Sequence, residues 1–274
     1  MIPAPFDYVR ATSIDEAITL VASHGDDAKF LAGGHSLVPL MKLRLAQPAV
    51  LVDVGRIREL SYVRDAGNHV AIGALTRHMD VETAPLLREH VPLLAHAASH
   101  VGDSQVRHRG TIGGSIAHAD PASDLPATTL ALGATYVVAG PRGTREIAAQ
   151  DFYRGFLDTV LEPDEMLLEI RVPKMMGAEW GFQKFVRRAQ DWAIVGVAAW
   201  RRDRECGVAL VNMGSTPLLA HGTIQAIRDG ADIADAAQLA ADDADPSSDV
   251  NASSEYREHL ARVLVRRALN GLTT

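Results

Sequence analysis

Residues 105–127 read QVRHRGTIGGSIAHADPASDLPA, and residues 32–48 read AGGHSLVPLMKLRLAQP. Each carries a glycine pair, Gly113-Gly114 in the first and Gly33-Gly34 in the second. Hydroxyl side chains flank both pairs: Thr111 and Ser115 in one, Ser36 in the other. Glycine lets a backbone come close to a ligand and turn its N–H groups toward an anion. Ser36 also stands where a short helix is expected to begin, with Pro39 in its first turn, and helix N-termini favour anions. Either stretch alone reads as a tight turn. Two of them, with matching hydroxyls, point to a bound diphosphate. Neither is G-x-G-x-x-G and no G-x-x-x-x-G-K-S/T occurs, which disfavours a Rossmann dehydrogenase or a P-loop NTPase. The run that follows, from Ser115 through His118, Ser123 and Asp124 to Pro126, is dense in short polar side chains. These suit sugar hydroxyls, or simply an Asx- and Ser-rich turn.

Outward from these stretches the chain mixes helix and strand without regular βαβα alternation, an α+β pattern. Ser13 and Glu16 form a capping box, and Ile14, Ala17, Ile18 and Val21 follow at helical spacing up to Gly25. Strands are expected over 29–32 and 50–54. A hairpin is expected over 61–73, turning at Asp65-Ala66-Gly67-Asn68. A helix over 92–101 then leads into a polar loop. Further strands are expected over 135–139, 144–148 and 165–172, the last closed by Pro173. A boundary is expected over 174–178. Beyond it come strand-like runs at 181–187, 192–200 and 208–212, helical sequence, an acidic Ala-rich stretch over 231–245, a loop at Pro246-Ser247-Ser248 and a final helix ending near Asn270-Gly271. The implied domains are 1–58, 59–176 and 177–274.

The whole composition narrows the function. The chain has 274 residues, 47% hydrophobic and 22% charged, which is globular rather than disordered. Lys and Arg total 27 against 34 Asp and Glu, a net charge of −7, which argues against nucleic-acid binding. The one cysteine, Cys206, excludes an internal disulfide or a Cys-ligated iron–sulfur or zinc cluster held by this chain alone. Cys206 is expected in a turn as an incidental thiol. The start lacks the basic and apolar regions of a signal peptide, and no apolar run reaches the ~20 residues of a membrane span. A cytoplasmic protein without an integral membrane segment is the expectation. His96 and His100 are four apart on an expected helix but lack the glutamate of a zincin, so structural or surface roles are assigned to them. His35, inside the first glycine stretch, is read as lining it rather than as an acid or base. Trp192, opening an apolar run, is read as core.

The two glycine stretches, in this order and spacing, resemble those of the FAD-binding medium subunits of molybdenum hydroxylases, such as carbon monoxide dehydrogenase medium subunits and xanthine dehydrogenase FAD domains. Residues 165–173 resemble the strand that closes the family's FAD domain, and 183–199 its segment bearing lysine and arginine. The resemblance spans nearly the whole chain, most weakly 231–254. It implies an α+β FAD-binding fold of the p-cresol methylhydroxylase type with a C-terminal α+β domain over the flavin. It implies that Ala32, Gly33, Gly34, His35, Ser36 and Leu37 form one diphosphate loop, and Thr111, Gly113, Gly114 and Ser115 the second. His118, Ser123 and Asp124 would meet the ribityl or diphosphate region, Val101 and Leu161 would flank the cofactor, and Lys184 would lie near the flavin. Serine at 115 departs from the family's usual Asn or Asp and is shorter.

The implied activity is an oxidoreductase subunit that carries electrons. FAD, bound non-covalently, would receive them from 2Fe–2S clusters of a small sister subunit and pass them to an external acceptor. The molybdopterin cofactor would sit in a large sister subunit, in a dimer of heterotrimers. No catalytic residue and no metal ligand is assigned to this chain. Two other readings stay open: a self-sufficient FAD-dependent oxidase or reductase of the same fold, and a non-catalytic anion- or nucleotide-binding module.

Overall fold

The computed structural model describes residues 2–272; Met1, Thr273 and Thr274, which the first and last implied domains include, lie outside them. The chain is α+β throughout, as its pattern implies, and is built on three main sheets. The first lobe comprises β1 (Asp7–Arg10), α1 (Ile14–His24), β2 (Ala28–Leu31), α2 (Leu37–Lys42) and β3 (Val50–Asp53). Its parallel sheet runs β1-β3-β2. Val50, Leu51 and Val52 are all buried because β3 is the middle strand. Ala17, Ile18 and Val21 of α1 cover it. Ser13 caps α1 by accepting from the Glu16 N–H, and the Glu16 carboxylate reaches back to the Thr12 N–H and hydroxyl rather than to Ser13 itself.

The second lobe holds β4 (Val63–Asp65), β5 (His69–Gly73), five helices in succession and a β-rich end. The helices are α3 (His78–Thr83), α4 (Pro85–His90), α5 (Pro92–Ser99), α6 (Ser104–Arg109) and α7 (Ile112–His118), with α8 (Asp124–Ala131) after a turn. Next come β6 (Thr135–Gly140), β7 (Gly143–Ala148), the small hairpin of β8 (Tyr153–Gly155) and β9 (Asp158–Thr159), and β10 (Met166–Pro173). The antiparallel sheet is ordered β4-β5-β10-β6-β7. Its edge strand β7 buries only Ile147 and exposes Arg145 and Glu146, charges that discourage pairing with another chain.

The third lobe is an antiparallel sheet, β11 (Glu179–Phe185), β12 (Val195–Arg202), β13 (Glu205–Val211) and β14 (Leu218–Leu219), with α9 (His221–Asp229), α10 (Ile233–Gln238) and α11 (Ser254–Asn270). β12 and β13 read as unbroken apolar runs because both faces are covered. Val197, Ala199, Val208 and Leu210 pack toward α11, whereas Ala198, Ala209 and Val211 join the core of the second lobe. That shared core fixes the third lobe against the second.

Four expectations are corrected. The polar loop after residue 101 is largely α6, capped by Asp103, whose Oδ1 accepts from the Val106 N–H at 2.9 Å. The second glycine stretch is the first turn of α7 rather than a loop. Trp192 is 58% exposed and β12 begins only at Val195, so Trp192 is not core. Cys206 is buried in β13, and burial pushes its thiol up to about 11, which leaves it inert at neutral pH. Among the described residues no helix is long and apolar enough to cross a membrane.

Candidate functional site

The chain leaves β2 at Leu31 and enters Ala32-Gly33-Gly34-His35-Ser36. Gly34 has φ +76°, a conformation that favours glycine. Gly33 is required by space: a Cβ there would fall on the carbonyl of Arg109 and the Cα of Gly110. The first glycine stretch therefore lies backbone against backbone on the residues that lead into the second. Among the described residues, the N–H groups of Gly33, Gly34, His35 and Ser36 meet no protein acceptor. Ser36 begins α2 without using its hydroxyl as a cap. Such a row of free amides suits an anion.

The second stretch is held by the segment that follows β5. Arg77 and Thr111 form an isolated antiparallel bridge. The His78 N–H donates to the Gly110 carbonyl at 3.0 Å, the Ile112 N–H to Thr76 at 3.0 Å and the Gly113 N–H to Ala74 at 2.9 Å. Gly113 is glycine because a Cβ would strike Ala74. Thr111 caps α7 by accepting from the Gly114 N–H at 3.1 Å. That leaves the Thr111 hydroxyl proton and Ser115 on the helix's opening turn. α7 ends at Ala119, whose φ of +56° turns the chain sharply after His118. The Arg77 side chain donates to the Arg109 carbonyl, and burial followed by Arg109's charge lowers its pKa.

A cavity of about 390 Å³ lies where these segments meet, between the first and second lobes. It is lined by Ala32, Gly33, Gly34, His35, Ser36, Leu37, Thr111, Gly113, Gly114, Ser115, His118 and Leu161, twelve of the sixteen residues expected at the site. His118 has its pKa lowered by burial, against the pull of Asp120. His35 is lowered by burial and then by Arg109.

Val101, Ser123, Asp124 and Lys184 do not line this cavity. They belong to a second cluster, where the second lobe meets β11. The Lys184 ammonium donates to Asp124 Oδ2 at 2.6 Å and to the His100 carbonyl at 2.9 Å, beside Val101. Both side chains of the pair are under 10% exposed. Burial pushes the Asp124 carboxyl up to about 6, while Lys184 pulls it down. Asp124 Oδ1 is buried without a partner. Ser123 starts α8 with its hydroxyl unused as a cap. His96 and His100 touch through Nε2 at 3.1 Å on α5, and no third ligand joins them among the described residues.

Sequence reasoning missed His78. Its side chain is 3% exposed and lines the cavity, and its Nε2 lies 3.3 Å from Ser115 Oγ. No local signal marks it: its place depends on the pairing of 74–78 with 110–113. Arg77 was missed for the same reason.

Two family models match the chain: the FAD binding domain in molybdopterin dehydrogenase over residues 4–175, and the CO dehydrogenase flavoprotein C-terminal domain over residues 180–272. The carbon monoxide dehydrogenase medium chain of Hydrogenophaga pseudoflava is 42% identical, with 98% of each chain covered. A solved structure of that organism's carbon monoxide dehydrogenase, lacking the Mo-pyranopterin moiety of its cofactor, superposes with a TM-score of 0.94 at 42% identity over 98% of both chains. The 6-hydroxypseudooxynicotine dehydrogenase complex subunit alpha of Paenarthrobacter nicotinovorans is 38% identical over 98% of this chain and 95% of its own. Quinoline 2-oxidoreductase of Pseudomonas putida 86 matches at a TM-score of 0.92 and 32% identity over 99% of this chain and 98% of its own.

Proposed function

Because this chain belongs to the FAD-binding medium subunits of carbon monoxide dehydrogenase and related molybdenum hydroxylases, we propose that its inter-lobe cavity grips the FAD diphosphate and that its cofactor relays electrons between sister subunits and an external acceptor. The chain is the flavoprotein subunit of a molybdenum-containing oxidoreductase. One observation carries the placement of the diphosphate: two glycine stretches meet backbone to backbone beside a cavity, and four amides of one stretch have no protein partner.

In this reading the amides of Gly33 to Ser36 and the hydroxyls of Ser36, Thr111 and Ser115 hold the phosphates, and Leu161 closes the cavity's apolar wall. Residues 2–58 and 59–176 supply the two halves of that grip. The cluster of Val101, Ser123, Asp124 and Lys184 takes the isoalloxazine and ribityl end, with the third lobe bringing Lys184. Bound FAD supplies reversible electron uptake; the chain binds, orients and shields it. His118 and Asp124 stay available as neutral or charged hydrogen-bonding partners. The likeness to medium subunits of heteromeric complexes favours the electron-relay reading over a self-sufficient oxidase.

The one-cysteine composition fits partner cofactors held outside this chain. A 2Fe–2S cluster takes four protein ligands, and buried Cys206 is the sole thiol. From the family likeness we infer that the iron–sulfur clusters sit in a small sister subunit and the molybdopterin in a large one, in a dimer of heterotrimers. A reducing, cytoplasmic location fits that unpaired thiol.

The test is made on the chain co-purified with both sister subunits. Acid precipitation is expected to release all the flavin, and mass spectrometry to identify FAD. Substrate is expected to reduce that flavin in the complex but not in the chain alone. Flavin retained in the pellet, FMN as the main species, or substrate-dependent reduction by the isolated chain contradicts the proposal.

A further inference from the structure

The imidazole of His78 is a buried polar side chain against the glycine stretches that the diphosphate reading leaves without a task. It sits at the first position of α3, directly after the Arg77–Thr111 bridge, with its own N–H tied to the Gly110 carbonyl. On one side the ring edge presses on Gly110: a Cβ there would lie 2.6 Å from Cδ2 and 2.7 Å from Nε2. On the other side Nε2 faces Ser115 Oγ at 3.3 Å. Nδ1 is buried and has no partner. The ring is thus fixed by packing, with one nitrogen committed to Ser115.

The chemistry of a neutral imidazole then decides which way the serine proton points. One ring nitrogen carries the proton and the other accepts. With the proton on Nδ1, a buried N–H is left unpaired and the Ser115 hydroxyl donates its only proton to Nε2. With the proton on Nε2, the ring donates to Ser115 Oγ, and the Ser115 O–H is released to donate into the cavity. Nδ1 lacks a partner in both arrangements, as a donor in the first and as an acceptor in the second; only the second frees the Ser115 proton for an anion in the cavity, so a bound diphosphate selects it. The ring remains neutral at neutral pH: burial, then the charges of His35, Arg77 and Arg107, push it down to about 4.

We propose that His78 is a positioning residue for the cofactor: its Nε2–H holds Ser115 Oγ so that the serine hydroxyl donates its proton to a phosphate oxygen of the bound diphosphate. The inference rests on the cavity holding that diphosphate. It also explains how a serine serves on the opening turn of α7: the imidazole behind it fixes the short side chain's orientation. Ser115 meets the anion, and His78 acts only through it.

A double-mutant cycle on the flavin-freed complex, titrated with FAD and followed by flavin fluorescence, tests this. Ser115→Ala is expected to weaken FAD binding roughly tenfold, the loss of one hydrogen bond to a charged oxygen. His78→Phe is expected to weaken it by a similar factor, and the double variant by no more than either single one, since both changes remove the same interaction. His78→Gln, whose side-chain amide reaches the Nε2 position, is expected to restore most of the affinity. The shorter His78→Asn is expected not to. Losses that multiply in the double variant, or equal affinities for His78→Gln and His78→Asn, overturn the proposal. So does an unaffected Ser115→Ala beside a weakened Ser36→Ala, although that result leaves the cavity reading standing. Unchanged affinity in both serine variants overturns the cavity reading and the proposal together.

Discussion

His78 and Asp124 show how two single side chains carry opposite pH signatures. In the fold His78 titrates at about 4 rather than 6.5, chiefly because it is buried. Between those values the unfolded chain binds more protons, so unfolding free energy falls as pH drops from 6.5 toward 4 and is level above 6.5. A shift of this size corresponds to about 3 kcal/mol. Urea denaturation at pH 7 and pH 4.5 is expected to show the unmodified chain losing more stability over that interval than His78→Gln, the difference reporting the imidazole because Asp124 acts equally in both. Equal pH slopes in the two proteins would count against a buried neutral imidazole. The Asp124 carboxyl is raised instead, so its own contribution runs the other way, favouring the fold as pH falls toward its ordinary value. Replacing it strands a buried ammonium: Asp124→Ala is expected to destabilise the chain by about 3 kcal/mol, and Asp124→Ala with Lys184→Met by much less. Equal losses in the single and double variants would mean that the pair is not coupled. The histidine's part was invisible in the sequence because Ser115 and His78 are 37 positions apart and meet only through backbone pairing. Asp124 and Lys184 were both named as site residues, but nothing local shows that they bond to each other across 60 positions.

The local elements were legible where their signals are strong. Ser13 with Glu16 marked α1, the Asp65–Asn68 turn marked the β4–β5 hairpin, and Pro173 marked the end of β10. The helices α3, α4 and α6 escaped because each is six residues long, too short to display an apolar period. The Gly113-Gly114 pair reads as a loop because glycine is a poor helix former, yet Thr111 capping and the tight approach to Ala74 make it the start of α7. β12 was placed three residues early because the apolar run that marks it begins before the chain straightens at Val195. The contact between the two glycine stretches gives the next expectation. Gly33→Val drives a branched side chain into the Arg109 carbonyl and separates the stretches. It is expected to empty the complex of flavin, read as loss of the flavin absorbance per chain, while Gly155→Val, in strand β8 with open space around it, leaves flavin content unchanged. Full flavin occupancy in Gly33→Val would show that the stretches need not touch.

Across the molecule, three sheets place the proposed diphosphate cavity and the Lys184–Asp124 cluster. The first two lobes meet at the cavity, and the third is locked to the second through the shared faces of β12 and β13. That arrangement was legible in outline from an α+β pattern and two glycine stretches, since those stretches are local. The separation of the site into a cavity and a Lys184–Asp124 cluster was not, because it depends on how β11 lies against α5 and α8. The most direct measurement is a crystal structure of the complex with FAD bound. The diphosphate is expected within hydrogen-bonding distance of the Gly33, Gly34, His35 and Ser36 amides and of the Ser115 hydroxyl, with no covalent bond from any side chain to the flavin. A diphosphate bound away from both glycine stretches, or a flavin covalently attached to the chain, would contradict this account.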